Sequence, residues 1–177
     1  MKKNADRFVH AVFCDDIRQE LGEKVSLMGC YQGELLVAEI PVLLPKLCAF
    51  VTVSTPLDRP IKSLKIRIMQ DDHELVSLEL PDDAMAKASQ SFQEGSTRLN
   101  ANSALAFSPF AVTAPTVLRV TAITEEGEII GPRLRIKTMP ESAALQAVSA
   151  PDSDVKPTAP RLAGKKPAAR RVKEKPD

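Results

Sequence analysis

Residues 63–69 read Ser63-Leu64-Lys65-Ile66-Arg67-Ile68-Met69, and the alternation sets Leu64, Ile66 and Ile68 against Lys65 and Arg67. A period of two places apolar side chains on one face and charged ones on the other, which is the pattern of a half-buried strand. Asp71-Asp72-His73-Glu74 follows as a turn, and residues 75–80 return with Leu78 and Leu80 opposed to Glu79 until Pro81 stops them. The pair is predicted to be a hairpin.

The rest of the first 140 residues repeats this grammar of short apolar runs punctuated by turn residues. Residues 7–14, 24–31 and 35–40 read as strands, with Pro41 and Pro45 bracketing a turn or edge crossing. Residues 46–54, Lys-Leu-Cys-Ala-Phe-Val-Thr-Val-Ser, form a β-branched apolar run suited to a central strand covered on both faces. A second hairpin joins residues 117–124 to Ile129 through Glu125-Glu126-Gly127-Glu128, where Gly127 supplies the left-handed residue such a loop needs. Arg133, Arg135 and Lys137 against Leu134 and Ile136 mark a last strand with one wet face, and residues 98–114 read as partly extended, split by Pro109.

Two segments carry helix signals instead. Asp82 or Asp83 caps a run containing Ala84, Met85, Ala86, Lys87 and Ala88, and Asp15 or Asp16 caps a turn over 15–21 that Gly22 would end. The predicted fold is therefore mainly β, an antiparallel β-sandwich of Ig-like or C2-like kind over residues 1–140, with one or two short helices. Fourteen prolines and the absence of tryptophan fit short elements.

Charge divides the chain near residue 140. Residues 1–140 carry 16 Lys and Arg against 18 Asp and Glu, whereas residues 141–177 carry 8 against 5. The second stretch is rich in proline and alanine and has almost no large apolar side chain, so it is predicted to remain a disordered tail. Between Val155 and Asp177 eight basic residues face two acidic ones, among them Lys165, Lys166, Arg170, Arg171 and Lys173. Such a run attracts polyphosphate through counterion release, although no aromatic residue is present to stack on bases, and the same charges serve a solubilising linker equally well. Weak nonspecific nucleic-acid contact is the partner this tail suggests.

The classes excluded are informative. No run of about 18 apolar residues is present, so no membrane-spanning helix is expected. Asp6, Arg7, His10, Asp15 and Asp16 interrupt any apolar stretch after Met1-Lys2-Lys3, so no signal peptide is expected. Cys14, Cys30 and Cys48 are odd in number, far apart and set in apolar runs, which reads as buried free thiols in a reducing cytoplasm. No motif for a cofactor, a phosphate loop or a nucleophile elbow appears.

Asp15, Asp16, Arg18 and Glu20 form the candidate functional group, since clustered carboxylates share protons or bind a hard cation. A cap with a local ion pair explains the same residues without chemistry. Asp71-Asp72 and Asp82-Asp83 do not pool into one calcium site, because the strand between them separates the pairs by roughly 20 Å at about 3.3 Å per residue. His10 and Cys14 share a strand face about 13 Å apart by the same rise, too far for a thiolate–imidazole pair, and His73 reads as an exposed turn residue.

Phe13-Cys14-Asp15-Asp16-Ile17-Arg18, then Glu20, Lys24, Ser26-Leu27, Gly29 and Tyr31, with Leu44-Pro45-Lys46-Leu47 downstream, resembles an uncharacterised bacterial family of domains of unknown function. The resemblance is specific through residues 8–50, weaker to 140 and absent from the tail. It implies a β-sandwich-like body and no established substrate, cofactor or catalytic residue. Function is thus expected to be non-catalytic binding or assembly with another protein, the alternative being a nucleic-acid-associated accessory role for the tail; a hydrolase using Asp15 or Asp16 stands third.

Overall fold

The computed structural model describes residues 6–22, 24–81 and 95–140. The helix expected over 82–93 and the tail beyond 140 lie outside them. Among the described residues there are twelve strands and no helix. They are β1 Phe8–Cys14, β2 Asp16–Glu20, β3 Lys24–Met28, β4 Glu34–Val37, β5 Val42–Leu44, β6 Leu47–Pro56, β7 Leu64–Gln70, β8 His73–Leu80, β9 Arg98–Phe107, β10 Phe110–Val112, β11 Thr116–Thr124 and β12 Gly127–Thr138. Among the described residues no helix is long and apolar enough to cross a membrane.

Two larger sheets carry the fold. One has the order β1-β6-β9 and the other β4-β12-β11-β7-β8, while β5 pairs with β10 and β2 with β3 in two-stranded ribbons. The alternating stretch at 64–68 becomes β7, paired to β8 with Leu64 opposite Leu80 and Ile66 opposite Leu78. The run over 46–54 becomes β6, the middle strand between β1 and β9. Its inward residues Leu47, Ala49, Val51 and Val53 are fully buried and share one core with Ile66, Ile68, Leu118, Val120, Leu134 and Ile136 of the other sheet. Burying a large aliphatic side chain contributes about 1.5–3 kcal/mol, so these facing rows supply most of the drive that joins the two layers.

Three features depart from what the sequence leads one to expect, and one of them breaks the antiparallel pattern. β4 runs parallel to β12, in a register that places Glu34 opposite Arg135 and beside Lys137, whose ammonium lies 2.9 Å from its carboxylate. The segment between Pro41 and Pro45 is the short strand β5, paired to β10. The hairpin's return at Ile129 and the last strand marked by Arg133 to Lys137 are one long strand, with a bulge between them: Arg119 faces Arg133 and Thr121 faces Ile130, leaving Gly131 and Pro132 opposite Val120 alone. Gly131 also has no room for a side chain, since a Cβ there would stand 2.7 Å from Val9 Cγ1 and 2.9 Å from the Val120 carbonyl oxygen.

At the start of β1 the Arg7 guanidinium is buried, its residue only 4% exposed. It donates to Thr55 Oγ1 at 3.2 Å, Thr124 Oγ1 at 3.3 Å, the carbonyls of Arg59 and Pro60 at 3.2 and 3.3 Å, and Glu125 Oε1 at 2.8 Å. Glu126 lies 3.1 Å away, and the second oxygen of Glu125 accepts from the backbone N–H groups of Lys62 and Ser63. Burial pushes the Glu125 carboxyl up, but Arg7 and these N–H groups outweigh it and hold the group below its usual range. Its stabilising contribution is therefore complete above the ordinary carboxylate range and is lost as pH falls through the lower folded value.

Arg7→Met is expected to cost about 3 kcal/mol, at the low end for a broken buried pair because Glu125 and Glu126 keep access to water. Urea unfolding across pH checks this: the deficit of the variant should be largest near neutrality and shrink in acid, and a deficit independent of pH would show that Glu125 does not depend on Arg7.

Candidate functional site

β1 leaves its sheet at Cys14, and the chain turns at once into the β2–β3 hairpin. Both ends of that hairpin are tied to the end of β1, since the Asp15 N–H donates to the Met28 carbonyl at 2.9 Å and the Tyr31 N–H to the Phe13 carbonyl at 2.8 Å. The turn of helix expected over 15–21 is a strand instead, with Asp16 opposite Met28, Arg18 opposite Ser26 and Glu20 opposite Lys24. The cap and stop signals were real but serve a hairpin. Asp16 accepts from the neighbouring Ile17 N–H at 3.0 Å rather than from a residue one turn on, and Gly22, at φ +78°, closes the two-stranded turn.

Strand alternation places Asp16, Arg18 and Glu20 on one face of the hairpin, with Asp15 at the corner before it. Each carboxylate has a partner in the immediate structure. Asp16 takes the Lys46 ammonium at 2.5 Å and Arg18 Nε at 3.3 Å. Glu20 accepts from the Ser26 hydroxyl, and Asp15 from the Tyr31 hydroxyl. The hydrogen bond from Lys46, reinforced by Arg18, holds the Asp16 carboxyl below the usual carboxylate range, and Asp16 in turn holds Lys46 above its own. Burial and then the hydrogen bond to Asp15 push the Tyr31 phenol up. Such an arrangement keeps Asp16 ionised and Tyr31 protonated at neutral pH, which suits anchoring a loop rather than exchanging a proton with a substrate.

The other candidate groups are separated. Asp71, at φ +51°, accepts from Thr116 Oγ1 at 2.6 Å and the Val117 N–H at 3.0 Å, so its carboxylate ties the β7–β8 turn to β11 and is held low by those two bonds. Asp82 and Asp83 lie outside the described residues, as do Lys165, Lys166, Arg170, Arg171 and Lys173. His10 and His73 are both exposed. Among the described residues no three His, Cys, Asp or Glu side chains converge as metal ligands.

Two members of the neighbourhood escaped the sequence reading as site residues. Lys46 and Tyr31 belong to it through contacts made 30 and 16 residues away, which no local spacing encodes. Of the three thiols expected to be buried, Cys14 and Cys48 are, but Cys30 is exposed, because it follows Gly29 in the return from β3 rather than sitting in a sheet. The hairpin also presents apolar groups to water, with Leu21 95% exposed at its tip and Val25 and Met28 41% and 43% exposed.

In Lys46→Met, the midpoint for titration of the Asp16 carboxyl should rise toward the ordinary carboxylate value, measured by carbon-detected NMR of the side chain. A midpoint unchanged from the parent would mean that Lys46 does not hold the charge of Asp16. No protein-family model and no curated protein sequence matches the chain.

Proposed function

We propose that this chain is a non-catalytic binding or assembly module, its body a β-sandwich of Ig-like or C2-like kind, that meets another protein through the β2–β3 hairpin. The observation that carries this reading is the 95% exposure of Leu21 at the tip of a hairpin stitched to the body at its base. A large aliphatic side chain held out in water on a braced ribbon forms an anchor with little ordering left to lose on association. The acidic group supports the same reading from the other side. Asp15 and Asp16, engaged by Tyr31 and by Lys46 with Arg18, set the hairpin's angle at its base, and Glu20, bonded to Ser26, places a charge beside the apolar tip. The resemblance of residues 8–50 to an uncharacterised bacterial family fits a fold of this kind and adds no activity.

The test is a paired retention experiment from native lysate with the full chain and Leu21→Asp, matched for thermal stability. A protein retained reproducibly by the parent and lost from the variant is the expected result. Identical retention by both rejects the hairpin as the contact, and no retention by the parent rejects the module.

The composition of the tail favours a second reading, contact with nucleic acid through the eight basic residues between Val155 and Asp177. Gel-shift affinity should then fall steeply with salt, because each neutralised phosphate releases counterions, and vanish when residues 150–177 are removed. Affinity that survives truncation rejects this role.

A further inference from the structure

Cys14 and Cys48 are directly opposite each other in the β1–β6 ladder. Both are fully buried, yet neither belongs to the central core. Alternation explains this. Val9, Ala11 and Phe13 of β1 and Leu47, Ala49 and Val51 of β6 face inward, so the two cysteines stand side by side on the outer face of the three-stranded sheet. What shields them there is the corner that opens the hairpin: the Cys14 thiol donates to the Asp16 carbonyl at 3.4 Å and the Cys48 thiol to the Asp15 carbonyl at 3.7 Å. The Asp16–Lys46 ion pair clamps that corner down, two residues from Cys48.

The backbone fixes the spacing of the pair. The Phe13 carbonyl is taken by Tyr31, so residue 13 turns its polar groups away from β6 and residue 14 turns its own toward it. Cys14 and Cys48 are thus a hydrogen-bonded antiparallel pair, for which the Cα separation is about 5.5 Å. That value falls inside the Cα range of about 4.4–6.8 Å that a disulfide spans, while the Cβ atoms of such a pair, roughly 5.5 Å apart, have to draw in to about 4.5 Å as the bond forms.

We propose that Cys14 and Cys48 are a redox-active dithiol, converted to an intramolecular disulfide by a small-molecule disulfide and gated by the Asp15–Asp16 corner. One thiol loses its proton and attacks the reagent, forming a mixed disulfide and releasing one thiol; the second cysteine then attacks the mixed disulfide and releases the other. The balance is two protein thiols plus RSSR giving one protein disulfide plus two RSH, the protein oxidised by two electrons and the reagent reduced by two. With the corner closed the step is slow. Burial, followed by the proximity of Cys48, Cys30 and Asp15, pushes the Cys14 thiol up to about 11, so little thiolate is present near neutrality. Apart from the two backbone bonds at its base the hairpin pairs in a ladder only with itself, so a brief lifting of that base is the motion that admits the reagent.

The full native chain is incubated with oxidised glutathione, quenched in acid, alkylated and mapped by peptide mass without reduction. A linked pair of peptides holding Cys14 and Cys48 is expected, with Cys30 outside it. In Asp16→Asn the clamp on Lys46 is weakened, and the linkage should form severalfold faster. Glutathione on Cys30 alone, a disulfide that includes Cys30, or no linked pair would overturn the assignment of the dithiol. A linkage that forms at the parent rate in Asp16→Asn would overturn the gate. Because the mapping is read on the parent protein, a poorly folding variant leaves the first result intact.

Discussion

A guanidinium taken out of water has to find an acceptor for each N–H group it cannot solvate, and Arg7 finds its acceptors in segments 48 to 118 residues further along the chain. Thr55, the carbonyls after it, Thr124 and Glu125 come together only when both large sheets are in place, so the requirement of one side chain fixes how the sheets meet at that end. An apolar core tolerates sliding as long as area stays buried, whereas a buried charge does not. The core therefore supplies the drive to collapse, and Arg7 selects one arrangement among the collapsed ones.

The opposite end of β1 is organised on another scale. There the charged groups stand largely in water, the Asp16–Lys46–Arg18 set is screened, and pairs of that kind contribute little to stability. Their effect is positional: they aim the hairpin and press its first corner onto two thiols. One strand of seven residues thus carries a rigid, buried charge knot before its first residue and an adjustable polar corner after its last. Local opening concentrates where few buried contacts resist it, which places it at the hairpin end.

Much of the body was legible in the residues. The alternation of Leu64, Ile66 and Ile68 and the continuous run through Val51 and Val53 are period signals, and both strands lie where those signals put them. Gly127 and Pro81 likewise mark a hairpin turn and a strand end. Signals that depend on pairing were not legible. Asp15, Asp16 and Gly22 fit a capped helical turn as well as a hairpin, and the competing strand at Lys24–Met28 wins because it satisfies the backbone of Asp16–Glu20 residue by residue. Arg7 read as a polar interruption near the N-terminus, since nothing near it in sequence names an acceptor. The alternation from Arg133 onward marks a last strand, but that this strand is continuous with the return from Gly127 follows from the bulge at Gly131 and Pro132 and the close packing of Val9, which no local pattern encodes.

The parallel ladder between β4 and β12 joins Glu34–Val37 to residues about a hundred positions later. β1 waits similarly for β6, and β6 for β9. Closing loops of that length costs entropy before any contact repays it, so the search for the native state is dominated by distant encounters and belongs with the slower single-domain folders. During synthesis β4 emerges long before the strand it will lie against, and the five-stranded sheet acquires its final edge only when Thr138 has left the ribosome.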